Sequence, residues 1–233
     1  MALPQLNTPT YELEVPSTGV KISYRPFLIK EQKVLMIAQE QGGEKALLKA
    51  VGNIIKDCTL GTIENPEDLP TFDMEYIFLK IRGKSVGDKV ELNLICPDDE
   101  KTRVMTEIDL SKVKPTKSNH DGVIKINDTI GMTMKYPTVK DLVNYGGEKS
   151  TVKMTFAIIE SCTVNIFDEE NVYEDFTTKE LRDFFDQLST DNFTKIEEFF
   201  DSMPKLSHTV KVKNPNTGVE SDIVLEGLQS FLG

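Results

Sequence analysis

Lys89-Val90-Glu91-Leu92-Asn93-Leu94-Ile95-Cys96-Pro97-Asp98-Asp99-Glu100-Lys101-Thr102-Arg103-Val104-Met105-Thr106-Glu107-Ile108 reads as two strands around a tight turn. Val90, Leu92 and Leu94 alternate with Glu91 and Asn93, the period of a half-buried strand, and Arg103, Val104, Met105, Thr106 and Ile108 carry the return strand. A second hairpin is expected at 207–226, turning at Asn214-Pro215-Asn216-Thr217-Gly218. Each follows an apolar helix end: Ile77-Phe78-Leu79-Lys80 before the first, Ile196-Glu197-Glu198-Phe199 before the second. The spacing from Ile77 to Cys96 is 19 residues, and from Ile196 to Asn214 it is 18. Helix-then-hairpin twice suggests a duplicated unit, although Pro-Asp and Pro-Asn are also ordinary turn chemistry; both readings stand.

Such turns are where a zinc ribbon carries its knuckles, which need four N or S ligands, usually from two Cys-x-x-Cys pairs. Here the four positions are Cys96, Asp99, Asn214 and Thr217, a single thiolate. The pair is therefore expected as ribbon-like hairpins without metal, held by packing and turn chemistry.

Around these hairpins the pattern gives an α+β fold of short antiparallel β-hairpins interspersed with amphipathic helices. A hairpin is expected at 10–28, turning at Pro16-Ser17-Thr18-Gly19, with helices at 30–41 (Val34, Leu35, Ile37 and Ala38 inward) and 44–58. Residues 59–71 read as a loop, and 72–84 as a helix burying Phe72, Tyr76, Leu79 and either Ile77 or Phe78. Residues 111–121 read as an exposed polar connection, followed by a hairpin at 122–136 with its turn near Asn127-Asp128. Thr138 with Asp141, and Thr177 with Glu180, form capping-box patterns. The stretch 151–166 is a buried helix or a strand pair, read as helix up to about Cys162; further helices are expected at 178–188 and 191–202. These elements group into 1–113 (N-terminal α+β domain), 114–136 (connection and hairpin) and 137–233 (helical domain ending in a hairpin).

The chain has 233 residues, 39% hydrophobic and 28% charged, which fits a soluble globular protein of one or two domains. Lys and Arg number 27 against 38 Asp and Glu, a net charge of −11, which argues against a general nucleic-acid binder and against anionic membrane surfaces. A nucleic-acid-binding ribbon would have to use Lys112, Lys114 and Lys117 with Lys84, Lys89, Lys101 and Arg103, the local basic cluster. No apolar run reaches the length of a membrane span, and the start lacks the pattern of a secretory signal. Three cysteines, Cys58, Cys96 and Cys162, suit a reducing compartment rather than a disulfide framework. Residues 168–201 hold 12 acidic and 3 basic residues, either a solvated face or a surface that selects a basic partner.

No phosphate-binding Gly-rich loop, dinucleotide fingerprint, nucleophile elbow or H-E-x-x-H helix is present. His120 and His208 lack triad neighbours and are expected at the surface, and Asp98-Asp99-Glu100 reads as a solvated turn. No catalytic residue, metal ligand or cofactor site is expected. Of the pairs Phe184/Phe185 and Phe199/Phe200, one member should face the core and the other a partner. The residues expected to contact a partner are Phe185, Phe200 and Phe231 with the acidic Asp183, Asp186, Glu197 and Glu198.

Three strings carry a family resemblance. Leu3-Pro4 with Tyr24-Arg25-Pro26-Phe27-Leu28-Ile29-Lys30-Glu31-Gln32-Lys33 resembles the opening of the baseplate hub proteins of contractile-tailed bacteriophages. Phe78-Leu79-Lys80-Ile81-Arg82-Gly83-Lys84-Ser85-Val86-Gly87 resembles the same family. So does Phe199-Phe200-Asp201-Ser202-Met203-Pro204-Lys205-Leu206 with Leu225-Glu226-Gly227-Leu228-Gln229-Ser230-Phe231. The resemblance implies a late phage protein acting in hub assembly during tail morphogenesis, either as a hub component or as a chaperone that leaves. It implies no enzyme activity and no cofactor, with other hub and tail proteins as partners; no nucleic-acid or membrane partner is expected from the charge balance, and an oligomer is allowed. The place of action would be the host cytoplasm during assembly and the virion tail baseplate. Some related proteins carry Cys-x-x-Cys pairs at hairpin turns, a pattern from which the single Cys96 departs.

Overall fold

The structure is a computed structural model that describes residues 7–118, 120–145 and 150–231. In chain order it contains β1 (Tyr11–Glu14), β2 (Lys21–Tyr24), α1 (Ile29–Gln41), α2 (Glu44–Cys58), α3 (Thr71–Val86), β3 (Lys89–Ile95), β4 (Arg103–Asp109) and β5 (Lys114–Pro115). There follow β6 (Val123–Lys125), β7 (Gly131–Met134), α4 (Val139–Tyr145), α5 (Thr151–Cys162), β8 (Thr163–Phe167) and β9 (Val172–Tyr173). The chain ends with α6 (Thr178–Phe185), α7 (Thr190–Asp201), β10 (Leu206–Lys213) and β11 (Glu220–Glu226). All strand pairings are antiparallel, in sheets ordered β1-β2, β3-β4, β11-β10-β5 and β6-β7-β8-β9, so the α+β expectation holds.

Two compact units result, and the first is discontinuous. It comprises the chain up to Thr116 and from Lys205 onward; Lys117–Pro204 form the second. This differs from the expected division into 1–113, 114–136 and 137–233, because the last hairpin belongs to the first unit. The physical reason is a non-local strand pair: β10 pairs with β5 through Leu206↔Pro115 and Ser207↔Lys114, inside a stretch that reads only as a polar connection. At that junction Thr116 N–H donates to the Lys205 carbonyl at 2.9 Å, and Lys205 N–H donates to Thr116 Oγ1 at 3.0 Å.

In the first unit α3 is the central element. Phe72, Met74, Ile77, Phe78, Leu79 and Ile81 are all buried, both Ile77 and Phe78 included, since α2, β5 and β10 pack around the helix. α1 meets α2 alone among the helices it touches closely, so Leu35 and Ala38 are buried while Val34 and Ile37, expected inward, are exposed.

Three of the hairpins share one turn design. In Val15-Pro16-Ser17-Thr18-Gly19, Cys96-Pro97-Asp98-Asp99-Glu100 and Asn214-Pro215-Asn216-Thr217-Gly218, the fifth N–H donates to the first carbonyl, at 2.8, 3.0 and 2.8 Å. Proline fixes φ at the second position, and the fifth residue has φ of +68°, +54° and +76°, a conformation that suits Gly19 and Gly218 and strains Glu100. The helices that precede the two hairpins differ in place: α3 packs in the first unit and α7 in the second.

The second unit lays α5, α6 and α7 against its sheet around buried Met132, Ile159, Cys162, Leu181, Ile196 and Phe199. Both capping boxes form: Thr138 N–H donates to Asp141 at 2.8 Å, and Thr177 N–H to Glu180 at 2.8 Å. The helix reading of 151–162 is correct, and the chain then enters strand β8 directly.

Candidate interaction surface

The acidic run of residues 168–201 builds one side of the second unit from the β8–β9 turn, α6 and α7. Asp168 shapes the turn: its Oδ1 accepts the N–H groups of Glu170 and Asn171 at 2.9 and 2.8 Å, and its Oδ2 accepts the Tyr173 hydroxyl at 2.9 Å. The Glu170 N–H, then the Tyr173 hydroxyl and the Asn171 N–H, hold its carboxyl below the usual range, and the same bond raises Tyr173. The Thr177 N–H and hydroxyl likewise hold Glu180 low. Two of the run's three basic side chains are engaged inside the unit: Arg182 donates to both Glu160 oxygens at 2.6 and 3.0 Å, and Lys195 to the Lys125 carbonyl at 2.8 Å.

Between the β8–β9 hairpin and α6 lies a groove of about 340 Å³. Ile166, Phe176, Leu181 and Phe184 form its apolar floor, with Asp168, Asp175 and Glu180 on its rim. Gly131 makes room for it: it pairs with Phe167 across β7 and β8, and a Cβ at Gly131 would collide with the Phe167 ring that lines the groove.

The residues expected at a partner surface divide. Asp183, Asp186, Glu197 and Glu198 are exposed, and Phe200 is half-buried beside Glu197 in a shallow depression on α5 and α7. Phe185 is buried in the second unit's core and Phe231 is buried in the first, so neither is presented on the surface. The correction within the first pair follows from helix phase: α6 packs Leu181 and Phe185, four residues apart, inward, which turns Phe184 toward the groove. Its membership of a groove is invisible in the sequence because the other wall comes from a strand that the local pattern does not mark. His120, expected at the surface, is partly covered, with its ring edge-on to Phe199 at 5.3 Å.

In the first unit the two ribbon-like turns meet. Asn214 Nδ2 donates to both oxygens of Asp98 at 3.0 and 3.1 Å, Thr217 Oγ1 donates to Asp98 at 2.5 Å, and Asn216 Nδ2 donates to Thr102 Oγ1 at 2.9 Å. Asp99 turns back on its own loop, accepting Thr102 N–H at 2.9 Å and Lys101 N–H at 3.0 Å. Among the described residues no group of three or more His, Cys, Asp or Glu side chains stands where it would hold a metal ion. All three thiols are buried; burial pushes Cys58 up to about 11 and Cys162 up to about 12, where they pack as small apolar groups. Within the basic cluster of this unit, Lys84, Lys89 and Lys112 pair with Asp88, Glu107 and Asp109 at 3.3, 2.7 and 3.4 Å.

Segments distant in sequence meet on α3 in the first unit. Phe27 N–H donates to Ser85 Oγ at 2.8 Å, and Leu228 N–H, just after Gly227 at φ +70°, donates to Glu75 at 3.0 Å. Arg25 donates to Glu31 at 2.8 Å, a pair with side-chain exposures of 12% and 3%. These residues help fix the packing of the first unit, and the chain is an α+β protein of small antiparallel sheets. The chain belongs to the family of the T4 bacteriophage base plate protein, whose family model matches residues 8–233. No match was found among curated proteins or among solved structures. It is a phage baseplate protein, with other baseplate and tail proteins as its neighbours. Among the described residues no helix is long and apolar enough to cross a membrane.

Proposed function

We propose that this baseplate protein acts at the hub, without enzymatic activity, and serves baseplate and tail assembly through contacts with other hub proteins. The observation that supports the hub reading is the contact between two of the hub-like strings, through the Phe27 N–H and Ser85 Oγ at 2.8 Å. These two residues, 58 apart in sequence, are partners in space. The non-enzymatic reading draws support from the occupation of the carboxylates: Glu31 holds Arg25, Asp73 holds the first turn, Asp98 joins two turns, and Asp168 and Glu180 shape a turn and a helix start.

The test is to draw the tagged protein from cells producing the phage and compare its bound proteins with the contents of purified particles. Hub proteins bound in both places identify a structural subunit. Hub proteins bound in cells, with this chain missing from particles, identify an assembly chaperone that is absent from the mature virion. Recovery of no hub protein from either source overturns the hub reading.

A further inference from the structure

The groove beside α6 combines two features that select one kind of occupant. Its floor is apolar and partly open, with Phe184 and Phe176 half-buried, and about 340 Å³ lies within the range of roughly 300–1,000 Å³ typical of ligand clefts. Its rim carries three carboxylates and no cation: among the described residues no Lys or Arg is paired with Asp168, Asp175 or Glu180. Two of those carboxylates are also fixed in place, Asp168 by the β8–β9 turn and Glu180 by the α6 cap. Carboxylates held this way are preorganised acceptors, so a cationic partner orders no loop when it binds.

We propose that this groove is a docking site for a segment of another protein that presents a bulky apolar side chain flanked by Lys or Arg. The apolar side chain sits against Phe184, Leu181 and Ile166, and the flanking cations meet Asp168, Asp175 and Glu180. An acidic or purely polar segment is excluded by repulsion at the rim or by the lack of an apolar anchor. That the segment belongs to a hub protein rests on the function proposed above; the charge and shape of the site do not.

The experiment measures binding of labelled hexapeptides to the full chain by fluorescence anisotropy. One probe has Phe-Leu flanked on each side by two Lys; a second replaces Phe-Leu with Ser-Ser; a third replaces every Lys with Glu. The first should bind, weaken in about 0.5 M salt, and bind in preference to the other two. Asp175→Lys, at an exposed rim position, should weaken it about tenfold. Asp222→Lys, an equal charge change on exposed β11 of the first unit, should leave it unchanged. Phe184→Ser should abolish binding, with thermal unfolding as its folding check. Equal binding of the Phe-Leu and Ser-Ser probes, or equal effects of Asp175→Lys and Asp222→Lys, overturns the proposal. Self-association of the chain that Phe184→Ser removes also overturns it, by making a second copy the occupant. If the peptide behaves as expected and no hub protein is recovered from cells, the hub reading fails while the groove stands.

Discussion

Asn214 donates its amide to both carboxylate oxygens of Asp98, 116 residues earlier, at 3.0 and 3.1 Å. The two residues lie on turns of the same design. A carboxylate and an amide thus tie the two hairpins together. The Thr217 hydroxyl and then Asn214 hold Asp98 below its ordinary carboxylate value. A depressed value in the folded state means that the clasp contributes stability above the unfolded value of about 4 and loses it as pH falls further. Asp98→Asn should therefore flatten the acid limb of the stability profile, with little change in its shape between pH 6 and 8 on the scale of about 4 where the carboxyl titrates. Urea midpoints across pH 3–7, a span set by that value of about 4, provide the check; an unchanged acid limb would count against the clasp.

The junction between Thr116 and Lys205 yields a second expectation. Those residues exchange two hydrogen bonds and β5 pairs with β10 beside them, so the first unit closes upon itself where the second departs. Joining Thr116 to Lys205 through two or three glycines, about the length of a tight hairpin loop, should leave a first unit that folds. Cooperative thermal unfolding and dispersed amide resonances would show it. A molten or aggregated product would mean that the first unit needs the second.

Arg25 and Glu31 form the buried ion pair of the N-terminal segment. Burial alone would raise Glu31, but the Arg25 guanidinium, the Leu28 N–H and Lys30 outweigh it and hold the carboxyl below its ordinary value. Glu31→Gln keeps an acceptor for Leu28 and leaves Arg25 without its charge partner. Because Arg25 retains the Pro26 carbonyl at 2.9 Å, the cost should fall somewhat below that of a fully orphaned charge, about 2–3 kcal/mol, read from denaturant unfolding.

Most helices and hairpins were legible because their signals are local: the capping boxes Thr138–Asp141 and Thr177–Glu180, the x-Pro turns, and the alternation from Val90 to Leu94. What escaped depends on pairing at a distance. β5 is two residues long and is a strand only because Leu206 and Ser207 return to it. β8 begins at the residue after α5 ends, with no breaker between Cys162 and Thr163. The groove draws on both β8 and α6, so Phe184 lines it while Phe185, one residue further round the helix, faces the core. The pattern of a single helix does not mark which of its faces the sheet covers.

Asp73 carries the last expectation, and its sign is opposite to that of Asp98. It is fully buried on α3, where it accepts the Ser17 N–H at 3.0 Å and the Ser17 hydroxyl. Burial raises its carboxyl above the ordinary value, and the two Ser17 bonds only partly offset this. A raised folded-state value means that the protonated acid suits the folded chain. Its contribution is present in full below the unfolded value of about 4 and is lost as pH rises through the folded one. At neutral pH the ionised Asp73 is therefore a net burden on the first unit. Asp73→Asn preserves an oxygen acceptor for Ser17 and removes the buried charge. It should raise the unfolding temperature at pH 7, and the gain should shrink as both proteins are taken to about pH 3, below the unfolded value of about 4, where the aspartic acid is mostly neutral in both states. A loss of stability at pH 7 would mean instead that the Ser17 bonds require the ionised carboxylate.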